Sequence, residues 1–83
     1  MASSTDTAVA HIVESFDALD AIDDPIERYK ASRQAGVAAD DRLRVVRQRI
    51  ALELKSDGKT WREIGQIMDG VTAQRAEQIS KGR

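Results

Sequence analysis

Apolar residues recur along this chain at helical intervals. Val9, Ile12, Val13, Phe16 and Leu19 fall at i, i+3, i+4, i+7 and i+10, while Glu14, Asp17 and Asp20 take the opposite side. That spacing predicts an amphipathic helix over residues 7–22, capped by Ser4, Thr5 or Asp6. Asp23-Asp24-Pro25 then marks a break and a restart, with Asp24 as N-cap and Pro25 in the first helical position, where its missing amide costs nothing. Ile26, Tyr29 and the stem of Arg33 line one face of this second helix, read over 25–35. Gly36 is either its C′ residue or an interior glycine of a longer helix. Asp40 or Asp41 offers a fresh cap, after which Leu43, Val46, Ile50 and Leu54 form the next stripe. Val45, Ala51 and Leu52 support it, and the helix is expected to run to about Ser56 and stop at Asp57-Gly58.

Two short helices follow. Thr60 caps the first, with Glu63 three residues on as its capping-box partner, and Ile64, Ile67 and Met68 supply its apolar face. Asp69-Gly70-Val71 reads as a tight turn, Thr72 as the next cap, and Ala76 and Ile79 as the inward positions of the last helix. Gly65 falls where the two helices would cross closely. The expectation is an all-α domain of four to five helices ending in a helix-turn-helix. Residues 1–41 form an acidic helical segment for packing or dimerisation, and 42–83 a basic helix plus the helix-turn-helix, the whole making one compact domain.

The residues of that last pair carry a resemblance. Arg62-Glu63-Ile64-Gly65, then Val71-Thr72, then Arg75, Gln78 and Ile79, resemble the helix-turn-helix of sigma factor region 4. The lead-in from Leu52 to Trp61, with Gly58-Lys59-Thr60-Trp61 at its end, is similar to small helix-turn-helix DNA-binding proteins of actinobacterial, phage or plasmid type. The likeness covers about residues 42–81. The turn departs from the family's usual pattern by one residue, since Asp69 and Gly70 both precede Val71. A chain of 83 residues leaves no room for the other regions of a sigma factor, so a stand-alone regulator is expected.

The resemblance implies a DNA-reading helix over about 72–81 that enters the major groove. Its outward residues Ala73, Gln74, Glu77 and Gln78 are then the candidates for base reading. Gln74 and Gln78 share a face and suit adenine, Ala73 suits a thymine methyl, and Glu77 suits cytosine. Lys59, Thr60, Arg62, Thr72, Arg75 and Lys81 are the candidates for phosphate contact, with Arg83 extending a basic tail. Arg75 has a second reading, bracing the fold through Glu63. Trp61 either covers the core where the helices join or extends its indole N–H to the DNA backbone. A domain this small is marginal alone and a single unit binds DNA weakly, so a homodimer that supplies a second half-site about 34 Å away is expected.

Charge is consistent with a polyanion partner for one half only. Residues 1–41 hold nine acids and three bases, whereas 42–83 hold ten bases and five acids, so a formal net charge of −1 conceals a strong split. The acidic half is expected to face away from DNA or to bind a regulatory protein or RNA polymerase. A protein-interaction module of that kind, without DNA reading, is the alternative function.

Cysteine is absent, which excludes disulfides and thiolate chemistry, and the lone His11 reads as a surface or interface residue rather than a ligand. Glu14, Asp17 and Asp20 belong to a solvated helix face, and no nucleophile, glycine-rich phosphate loop or metal set points to an enzyme or a cofactor. No window is apolar enough for a membrane span and the start lacks the features of a signal peptide, so a cytoplasmic protein is expected.

Overall fold

A computed structural model describes residues 3–83. The protein is all-α, with no strand among the described residues. Its helices are α1 (Ser4–Asp17), α2 (Pro25–Ser56), α3 (Trp61–Ile67) and α4 (Ala73–Ser80). A short 3-10 helix, Ala18–Ala21, follows α1. The chain divides into two compact units, one ending at Ala38 and one running from Ala39 to Arg83, so the division falls inside α2.

In the first unit, α1 starts earlier than its candidate caps. The cap is Ser3, whose Oγ accepts from the Asp6 amide at 3.1 Å, not Ser4, Thr5 or Asp6. Ser3 wins because its backbone is extended and Asp6 then falls in the first turn, where the helix dipole favours an acid. The α-helix also gives way to the tighter 3-10 form after Asp17 instead of running to residue 22. Ile22 is extended, and its carbonyl accepts from Arg28 Nε at 2.9 Å while the Asp23 carbonyl accepts from Arg28 Nη2 at 3.2 Å. Arg28 therefore satisfies carbonyls that a helix end leaves unpaired. Asp24 caps α2 as the sequence indicates, its Oδ2 accepting from the Glu27 amide at 3.1 Å. No residue of α1 is buried.

Between Gly36 and Asp41 the structure takes the second of the two readings of Gly36, an interior glycine of a longer helix. The second and third predicted helices are one helix of 32 residues. An interior glycine costs only about 1 kcal/mol relative to alanine, too little to stop a helix that propagates cooperatively from both sides. Asp40 and Asp41 are exposed and cap nothing; Asp41 instead pairs with Arg44 one turn on, at 3.5 Å.

The second unit holds the core. Ala51 of α2, Ile64 of α3 and Ala76 of α4 are fully buried, and Leu54, Trp61, Met68, Val71 and Ile79 pack around them. Helix α2 ends as predicted, with the Gly58 amide donating to the Lys55 carbonyl and the Lys59 amide to that of Leu54. This paired closure is the Schellman arrangement. Thr60 and Thr72 then cap α3 and α4 as read from the sequence.

Gly65 is where α3 meets the approach to α4. A Cβ at that position would strike the carbonyl oxygen of Val71 and lie 3.2 Å from that of Thr72. The connection itself needs two left-handed residues, Asp69 at φ 62° and Gly70 at φ 77°. Glycine adopts this conformation freely, and aspartate tolerates it better than most side chains do.

A contrast between two glycines tests this packing. Gly65→Ala should lower the unfolding free energy by about 1–3 kcal/mol in urea titration, because the new methyl meets backbone that cannot turn aside. Gly36→Ala, with nothing within 4 Å of its added Cβ, should raise it by about 0.5–1 kcal/mol. Equal effects at the two positions would contradict the close approach.

Candidate nucleic-acid interface

Helix α4 is short, so its faces are set by what its inner side packs against. Ala76 and Ser80 are buried and Ile79 packs on the core. Ser80 Oγ donates to the Glu77 carbonyl at 2.5 Å, so its hydroxyl is satisfied within the helix. The opposite side then carries Ala73, Gln74 and Glu77, all exposed, with Gln78 half-buried at its margin. All four candidate base readers therefore lie on the one helix. Glu77 does not stand alone as a negative charge: its Oε1 lies 3.7 Å from Lys81 Nζ, an exposed i, i+4 pair.

The candidate phosphate contacts fall into two groups. Lys59, Thr60 and Arg62 stand at the start of α3, whereas Thr72, Arg75 and Lys81 belong to α4 and its ends. Thr60 is engaged inside the chain. Its Oγ1 accepts from the Glu63 amide at 3.2 Å and donates to Glu63 Oε1 at 3.0 Å, and the Thr60 amide donates to the same oxygen at 3.1 Å. The Glu63 carboxylate thus takes the place at the head of α3 where a phosphate would otherwise sit. Thr72 Oγ1 accepts from the Arg75 amide at 3.1 Å and keeps its own proton to donate.

That use of Glu63 bears on Arg75. The brace between Arg75 and Glu63 does not form among the described residues. Arg75 is exposed and lines a groove of roughly 680 Å³ together with Arg44, Arg47 and Arg83. Ile50, Ile67 and Ile79 give this groove an apolar floor, and Asp40 and Asp69 are its acidic members. Trp61 is half-buried against the core, and the Lys55 ammonium stands 5.1 Å from its ring centroid, a cation–π contact.

Two features escaped the sequence reading. Gln48 Nε2 donates to the Ser80 carbonyl at 3.2 Å and so fixes the end of α4 to α2. A lone glutamine on a charged helix gives no sign of such a role. The four-arginine groove was also missed, although Arg75, Ile79 and Arg83 recur every four residues and Arg44 and Arg47 every three, a spacing that places each set on one helix face.

Among the described residues no group of three His, Asp or Glu side chains is placed to hold a metal, and no helix is long and apolar enough to cross a membrane. No protein-family model, curated protein or solved structure matches the chain.

The capping box makes the head of α3 sensitive to acid. Hydrogen bonds from the Thr60 amide, then from its hydroxyl, hold the Glu63 carboxyl below the usual carboxylate range, and Lys59 adds to this. A carboxylate depressed by folding stabilises the fold above its ordinary value and loses that contribution as pH falls through the folded one. An NMR titration of the Glu63 carboxyl should show the lowered midpoint, and Thr60→Ala should return it toward the ordinary range. An unchanged midpoint in the variant would contradict the assignment.

Proposed function

We propose that the chain is a sequence-specific DNA-binding transcriptional regulator. The C-terminal pair α3–α4 acts as a helix-turn-helix and α4, with its flanks over about residues 72–81, enters the major groove. The observation that carries this reading is the division of α4 into a packed side and a polar outward side. Ala76, Ile79 and Ser80 turn inward, which leaves Gln74 outward with Gln78 beside it. A glutamine amide offers one donor and one acceptor together, the pattern that adenine presents in the major groove, and each such pair discriminates by about 1–3 kcal/mol. Ala73 serves a thymine methyl and Glu77 a cytosine amine.

Around this reading face, Lys59, Arg62, Thr72, Arg75 and Lys81 hold phosphates, while Thr60 contributes through the cap that orders the start of α3. One module of this size contacts few base pairs, so the reading includes a homodimer whose two recognition helices lie about 34 Å apart on the duplex. The alternative, a protein-interaction module that binds RNA polymerase or another regulator without reading DNA, draws on the arginine-rimmed apolar groove, a feature that base reading does not require.

Selection from a random-sequence duplex library at two salt concentrations separates the two. The wild type should enrich a motif, as a paired site if the dimer binds, and Gln74→Ala/Gln78→Ala should lose that preference by about 10-fold or more, at roughly 1–3 kcal/mol per contact. Lys81→Ala should weaken binding to every sequence alike and reduce the salt slope by about 1. Folded protein that retains no duplex at low salt would overturn the proposal in favour of the interaction module.

A further inference from the structure

The groove between α2 and α4 asks for a ligand with two properties. Its floor is apolar, with Ile50 41% and Ile67 55% exposed, so an occupant must bring an apolar surface. Its rim carries Arg44, Arg47, Arg75 and Arg83, so the occupant must also bring acids. Helix α1 has both. Val9, Ile12, Val13 and Phe16 form one stripe and stand 42–56% exposed. Asp6 lies one turn before Val9 and Asp17 one turn after Val13, so both edge this stripe instead of facing away from it, and α1 carries no lysine or arginine.

We infer that the arginine-rimmed groove receives α1 from a second copy of this chain. Charge complementarity selects this occupant, since the helix that carries the stripe holds acids and no lysine or arginine while the groove rim holds four arginines. Exchange of α1 between two copies fills both grooves, buries both stripes and closes as a two-fold dimer. This names the contact behind the dimer in the proposed function, yet it stands apart from DNA reading, since the residues tested below are outside the reading set.

The test is a charge exchange. One full-length variant carries Arg44→Glu/Arg47→Glu and the other Asp6→Lys/Asp17→Lys, all at exposed positions. Sedimentation equilibrium should show a wild-type dimer and, for each variant alone, a dimer at least about 10-fold weaker, because like charges then face each other. Mixed one to one, the variants should regain wild-type affinity as a heterodimer, since each groove then meets a helix of opposite charge. Phe16→Ser, which leaves every charge in place, should also weaken the dimer. A monomeric wild type, variants that dimerise as well as wild type, or a mixture that stays as weak as its components would each overturn the inference.

Discussion

The second unit depends on one backbone contact. Gly65 lets α3 come so close to the start of α4 that a methyl group there would collide with the Val71 carbonyl. That closeness brings Ile64 and Ala76 into one core with Ala51, in a cluster where only one fully buried side chain is large. Small cores gain little from hydrophobic area, so packing distance and satisfied polar groups decide whether they hold. The starts of α3 and α4 and the ends of α2 and α4 are provided for. Thr60 and Thr72 cap the starts, the turn at Gly58 closes α2, and Gln48 holds the Ser80 carbonyl. With the inner side of α4 committed to the core, its polar side is presented in a single orientation, and a reading face needs that.

The first unit works differently. Its helices are secured by polar contacts at their ends, Ser3 to Asp6, Arg28 to Ile22 and Asp23, and Asp24 to Glu27. No residue of α1 is buried, and its apolar stripe is open to solvent. Most helical stability in proteins comes from packing an apolar face. A stripe of this kind therefore marks a surface suited to association, whereas the core of residues 39–83 supports its own helices.

Much of this was legible in the residues. The Thr60–Glu63 spacing, Asp24 before Pro25, Thr72 before the last helix, and Gly65 at the crossing each have a local physical meaning that survives folding. Where the reading failed, the signals were local and the outcome cooperative. Gly36 and Asp40-Asp41 look like a stop and a start, but the penalties are small beside the propagation of a long helix, and Asp41 found Arg44 as a partner instead. Ser3 displaced the three candidates Ser4, Thr5 and Asp6 because the helix begins at Ser4 itself. Gln48 and the four-arginine groove depend on residues more than 25 positions apart meeting in space. Periodicity along one helix carries no information about that meeting.

The central claim is that the outward face of α4, held by this core, reads DNA. A residue-resolved NMR titration of the full chain with a duplex tests it directly. The account predicts that the largest shifts fall on the Thr72–Lys81 amides and the side-chain amides of Gln74 and Gln78, with the buried Ala51 and Ile64 little moved. Shifts spread evenly over the lysines and arginines, with both glutamine side chains unmoved, would contradict it and leave only attraction between a basic surface and a polyanion.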